Sequence, residues 1–167
     1  MKGRSEDANS TMLGSVAARL ANQLHALRLI LTDATPEQLK WRPAPGKWSA
    51  HENLAHVARY HHVMLDRLAR LLAEDRPSFA RYSADEDSEW PAWVALGTEE
   101  VVRRLKTLRG ELMARVEGLS ERDLGRSAVH PAFGEMTTTA WLEFFLLHEA
   151  HHLYVAMTRL AEARKTV

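Results

Sequence analysis

The sequence predicts an all-α protein, a four-helix bundle with one long crossover connection. Four long segments repeat apolar residues at intervals of three and four, the helical period. No alternating strand pattern of useful length interrupts them. Proline, glycine and small polar residues gather between them, where helices stop.

The first segment runs from about Ser10 to Leu31, with Leu13, Val16, Leu20, Leu24, Leu27 and Leu31 along one face. Residues 1–10 are polar, read as a frayed lead-in, and lack the apolar stretch of a signal peptide. The run Thr32-Asp33-Ala34-Thr35-Pro36 ends this helix. Thr35 as cap and Pro36 at the first position then start a short helical turn. Trp41 to Lys47 holds two prolines and a glycine and cannot be regular helix.

The second long helix opens at Ser49. Glu52 stands three residues on, which is the capping-box pattern, and the helix continues to about Glu74. The connection from Asp75 to Leu96 is far longer than an ordinary turn between bundle helices. It is predicted to cross the bundle, as a lid or as a plain crossover. Its acidic run, Asp85 to Glu89, reads as solvated surface rather than a second metal site. The third helix starts near Thr98, where Glu99 and Glu100 suit the positive end of its dipole. Its stripe is Val101, Leu105, Leu108, Leu112 and Val116, and Gly118 ends it. Ser120 to Asp123 suggests another short turn, and Gly125 to Met136 reads as a loop. The fourth helix spans about Thr137 to Ala163.

The 167 residues suit one domain, residues 1–167. Lys plus Arg and Asp plus Glu number 22 each, so the basic surplus of a nucleic-acid binder is missing. There is no cysteine, which excludes disulfides, thiolate metal sites and a cysteine nucleophile. No apolar run approaches the roughly 20 residues needed to span a bilayer. A cytoplasmic protein with no membrane or nucleic-acid partner is the resulting expectation.

Seven of the nine histidines fall in two short segments: His51, His56, His61 and His62, then His148, His151 and His152. His148 and His152 lie one turn apart, about 40° around the helix, and can grip one ion. A third imidazole from another helix would complete a three-His site with open positions. His151 also pairs with His148 by spacing, but His152 lies nearer the apolar centre set by Leu142, Phe145 and Leu160. On the second helix the stripe Leu54, Val57, Leu65, Leu68 and Leu72 centres on His61. Periodicity therefore favours His61 as the inward ring and places His56 to one side, between Tyr60 and Val63. Glu149 falls near the apolar side of its helix. Three roles are open to it: orienting a ligand imidazole, acting as a general base, or pairing with an arginine.

Pro45-Gly46-Lys47-Trp48-Ser49, followed by His56-Val57, resembles the second-helix signature of the DinB/YfiT-like superfamily. Leu146-Leu147-His148-Glu149-Ala150-His151-His152 resembles its last-helix signature, a His-x-x-x-His pair. The similarity extends over nearly the whole chain. It implies a four-helix bundle of unusual connection order and a divalent metal held by His56, His148 and His152. Zinc is the default for neutral imidazoles, and nickel and iron also suit them. The resemblance further implies a homodimer and a metal-dependent hydrolase or a thiol-dependent transferase. Either would act on a small-molecule substrate, the transferase with a low-molecular-weight thiol. Glu149 and Tyr60 are the candidates for proton transfer. Many members carry a Gly-Gln pair after the last histidine, where this chain has Leu153-Tyr154-Val155. The rival expectation is a non-catalytic stress-response module that binds metal or a small molecule, suggested by Trp41, Trp90 and Trp93 in loop-rich segments.

Overall fold

Caps and breakers place the long helices close to where the sequence puts them. The computed structural model describes residues 3–167, with side chains from Leu13 onward. Helix α1 spans Gly3–Asn22. It starts ahead of Ser10, so most of the expected lead-in is helical; Met1 and Lys2 lie outside the described residues. A 3₁₀ turn over Gln23–His25 separates α1 from α2, Ala26–Leu31, where the sequence predicts one continuous helix. At that break the Gln23 amide donates to the Leu146 carbonyl at 3.0 Å and to Glu149 at 2.8 Å. Helix α3, Pro36–Lys40, is capped by Thr35 and Gln38 reciprocally.

Helix α4, Ala50–Ala73, begins at the predicted capping box. The Ser49 hydroxyl accepts from the Glu52 amide at 3.1 Å, and the Glu52 carboxylate accepts from the Ser49 amide at 2.8 Å. Within the long connection lies a short helix, α5, Trp90–Ala95. Helices α6, Thr98–Glu117, and α7, Glu121–Gly125, follow. The segment read as a loop folds instead into an antiparallel hairpin, β1 Ser127–His130 and β2 Gly134–Thr137, in the register Ser127↔Thr137 to His130↔Gly134. Gly134 takes the left-handed conformation, φ +71°, that closes its short turn. The crossover ties the hairpin down: Val129 donates to Pro77 at 2.9 Å, and Phe79 donates to Val129 at 3.1 Å. Helix α8, Thr138–Ala163, is capped by the Thr137 hydroxyl.

Side-chain pairs fix the helix directions. His51 meets Thr98, and ten residues further along α4 and eleven along α6 His61 meets Arg109, so α4 and α6 run parallel. Asn53 meets His152 and His56 meets His148, so α8 runs antiparallel to α4. Arg19 pairs with Glu143 and Gln23 with Glu149, so α1 runs parallel to α8. Two parallel neighbours cannot be joined by a tight turn. The chain from 75 to 96 must return along the bundle, and it is the predicted crossover.

Apolar burial holds the bundle together: Leu54, Leu68, Leu105, Leu112, Trp141, Leu142, Phe145 and Leu160 are all essentially without exposure. Three polar side chains, Arg109, Glu149 and His61, meet among them. Arg109 of α6 forms an ion pair with Glu149 of α8, and its Nη1 donates to the Leu20 carbonyl of α1 at 2.8 Å. Its Nε donates to His61 Nε2 of α4 at 3.2 Å. His61 Nδ1 donates to the Val57 carbonyl at 2.8 Å, which fixes the neutral tautomer. The 3.4 Å approach of His61 Nε2 to Glu149 is therefore no ion pair. Among the described residues no helix is long and apolar enough to cross a membrane.

Removing one member of the Arg109–Glu149 pair strands the other charge in the core. Arg109→Met is expected to cost about 3–5 kcal/mol in urea unfolding. The double variant Arg109→Met with Glu149→Met is expected to recover most of that loss, because no buried charge remains.

Candidate metal centre

The centre is built from the first turns of α4 and the middle of α8. Glu52, which caps α4, is also gripped by Arg42, whose Nε donates to it at 2.9 Å, so the start of the helix is held from two sides. Asn53 and His56 share one face of this start. The Asn53 amide nitrogen donates to the Ser49 carbonyl at 2.8 Å, which turns its oxygen toward α8. That oxygen lies 2.9 Å from His152 Nδ1. A carbonyl oxygen only accepts, so the His152 proton sits on Nδ1 and its Nε2 carries a free lone pair.

His148 and His152 meet at a ring separation of 4.6 Å, and the His56 ring lies 5.0 Å from the first and 4.3 Å from the second. One nitrogen from each of the three lies within 4.8 Å of the others. The Nε2 atoms of His56 and His148 are 3.0 Å apart. Two imidazole nitrogens bound to one tetrahedral ion at ordinary zinc distances would stand about 3.3 Å apart. His56 Nδ1 is buried and has no hydrogen-bond partner among the described residues. The ring thus makes no polar contact except at the cluster, and an ion there would offset the cost of burying it. The donor set fits a divalent cation.

The surroundings keep the rings neutral. Trp48 packs 4.9 Å from His56, Tyr82 at 5.5 Å and Trp90 at 6.0 Å, while Tyr60 packs 4.1 Å from His148. Burial lowers His56 to about 4, against a small opposing pull from Asp87. Burial, then repulsion from the other two rings and His151, lowers His148 to about 2. Burial and its imidazole neighbours lower His152 to about 3. A neutral imidazole is the metal-binding form.

The structure thus brings together the ring set the resemblance implies. His151 is exposed and packs edge-on against His152, outside the cluster. His61, the ring periodicity favours, is indeed buried, but it belongs to the Arg109–Glu149 cluster. Of the three roles open to Glu149, the structure shows the arginine pair; none of its hydrogen bonds goes to His56, His148 or His152. Burial raises its carboxyl, with Arg109 and Gln23 pulling the other way. That removes it as a base at this centre. The Tyr60 hydroxyl accepts from Arg67 at 2.8 Å, and burial raises its pKa. Asp85, Glu86 and Glu89 of the acidic run are exposed, as expected of solvated surface, whereas the Asp87 carboxylate is nearly buried and is taken up by Arg59 at 2.7 Å and by Tyr82 at 2.8 Å. Trp93 is buried and Trp90 packs on Trp48 at 5.1 Å, so both hold the crossover to the helices.

Beside His56 and His148 opens a cavity of about 580 Å³, walled by Tyr60, Tyr82, His130 and Phe144. Sequence reasoning missed Asn53 at the histidine cluster and Arg67, Arg81, Tyr82 and His130 at the cavity. Asn53 alone left a signal, three residues before His56 on the same face.

A mostly helical four-helix bundle with a three-His cluster at the α4–α8 interface defines the class. Residues 19–156 match the DinB superfamily, and the chain belongs to it. It is 26% identical over 140 residues to the uncharacterized protein YuaE of Bacillus subtilis, covering 74% of this chain and 83% of that one. It is 24% identical over 117 residues to a protein of Oceanobacillus iheyensis provisionally named a metal-dependent hydrolase, covering 70% and 67%. Among solved structures it is similar to YfiT of Bacillus subtilis, described as a probable metal-dependent hydrolase with an unusual four-helix bundle topology. That match has a TM-score of 0.67 and 21% identity, over 95% of this chain and 87% of that one. The four-helix bundle protein TT2238 matches with a TM-score of 0.63 and 26% identity, over 86% and 96%. The fold is that of the superfamily, and the three-His cluster and the relatives' names fit a metal-dependent protein.

Because His56, His61, His148 and His152 are held below the ordinary 6.5, the unfolded chain binds protons in mild acid that the native chain refuses. Stability is therefore complete above about pH 6.5 and falls as the pH drops from there through about 4. Thermal melts between pH 7.5 and 4.5 are expected to show a steady fall in Tm on the acid side.

Proposed function

We propose that this protein is a divalent-metal-dependent enzyme acting on a small molecule, with His56, His148 and His152 as the metal ligands. One observation carries the reading: three neutral imidazoles converge beside a cavity large enough for a small substrate. A bound divalent ion supplies Lewis acidity, with zinc the default and nickel or iron also suited. Asn53 holds His152 in the tautomer that offers Nε2. His130 Nδ1 accepts from the backbone amides of Ala132 and Phe133 at 3.0 and 3.2 Å, so its Nε2 carries a proton at the cavity wall. Tyr60, protonated at neutral pH, is a second donor there.

Hydrolysis is the first reading, in keeping with the names of the relatives. A specific observation favours a second, thiol-dependent transfer. Among the described residues no carboxylate lines the cavity, so a water-activating base of the usual acidic kind is missing from that lining. A low-molecular-weight thiol is more acidic than water and needs no such base near a cation.

Protein purified without a polyhistidine tag is expected to take up one zinc ion per chain and to melt at a higher temperature when loaded. His148→Ala is expected to abolish uptake, and Asn53→Ala to weaken it about 10–100-fold. Metal analysis and zinc titration check both. A screen of esters and amides, with and without thiols, separates the two reactions. Full metal uptake with no turnover in either arm would leave the non-catalytic binding module as the function.

A further inference from the structure

Two arginines are buried among the described residues, and they are not alike. Arg109 has Glu149 as its counter-charge. Arg67, only 7% exposed, has none. Its Nη1 donates to the Tyr60 hydroxyl at 2.8 Å and its Nη2 to the Ala80 carbonyl at 2.8 Å. Its guanidinium carbon lies 5.6 Å from the Phe79 ring and 5.4 Å from the Trp141 ring. These contacts orient the charge but do not neutralise it, and a buried cation without a carboxylate is costly.

Arg67 borders the cavity next to His56 and His148. Arg81 borders it too, and makes no hydrogen bond or ion pair to any described residue. Among the described residues no acidic side chain lines the cavity. Phe133 also lines the cavity; it stands at the hairpin turn, 64% exposed, stacked on His130 at 4.7 Å and 5.8 Å from Phe144. Phe133 and Phe144 thus give the cationic cavity an apolar side against which the body of a ligand can lie.

We propose that the substrate of this centre is a small carboxylate with an aromatic or aliphatic body. Its carboxylate is held by Arg67 and Arg81, and its body lies against Phe133 and Phe144. The proposal rests on the reading of the three histidines as the reactive centre. One buried positive charge matches the single negative charge of a carboxylate, and the planar guanidinium suits its two oxygens. The two arginines thereby select the substrate and fix which end faces the histidines.

Phenylacetate and its neutral counterpart phenylacetamide are the probes, with binding read by calorimetry on zinc-loaded and on metal-free protein. Phenylacetate is expected to bind at least tenfold more tightly than the amide in both preparations. Arg67→Met is expected to erase that preference and Arg81→Gln to reduce it several-fold, while Arg81→Lys retains most of it. Zinc affinity is expected to be unchanged in all three variants. Equal binding of the two probes would overturn the proposal. So would a preference that needs zinc and survives both arginine substitutions, because the ion would then be holding the carboxylate. Should Arg67→Met fail to fold, Arg81→Gln against Arg81→Lys decides the same question. Failure of zinc to bind, with the carboxylate preference intact, would overturn the metal reading and leave the anion site standing.

Discussion

The ion pair between Arg109 and Glu149 is the constraint on which the rest of the molecule turns. With Gln23, His61 and the Leu20 carbonyl it joins α1, α4, α6 and α8 at one point in the core. Its effect reaches beyond stability. Glu149 sits between His148 and His152 in sequence, and once it points into the core the rotation of α8 is set. The two histidines then lie about 100° and 60° to the same side of it, together, facing α4. His61 does the same for α4. Held toward α6, it leaves His56 about 140° away, on the side that faces α8. A polar knot in the core thereby aims a second set of polar groups at the edge.

The direction of α6 supplies the other half of the site. Because α6 runs parallel to α4, the chain between them must travel back past the face that carries His56. Tyr82 and Trp90 are delivered to the imidazoles on that return. Their rings exclude water from one flank of the cluster, and that exclusion is what holds the histidines neutral. The hairpin closes the other flank and contributes His130 and Phe133 to the cavity. Connection order, usually a matter of topology alone, here decides the chemistry around the three rings.

Much of this was legible in the sequence, for reasons that can be named. Helix ends were set by local chemistry: Ser49 with Glu52, Thr35 with Pro36, and Thr137 all cap where the residues say they should. The crossover followed from its length. Periodicity misjudged His56, because an apolar stripe reports the face toward the core, whereas the cluster lies where two helices meet at its margin. The hairpin escaped because its strands are four residues each and rely on the crossover for hydrogen bonds. Arg67 and Arg109 act through burial or through partners far away in sequence, and no local pattern marks such residues. Glu149 was visible as a carboxylate in an apolar place, but only the position of Arg109 tells which partner claims it.

The three rings are not held alike. His152 is clamped by Asn53, whereas His56 Nδ1 has no anchor among the described residues and, outside the cluster, its ring touches only aromatic walls. The centre therefore resembles a vice with one fixed jaw and one that can pivot. A pivoting jaw adjusts its bond angle to whatever it grips. Discrimination among first-row metals would then be weak at the protein itself and left to whichever ion the surroundings supply.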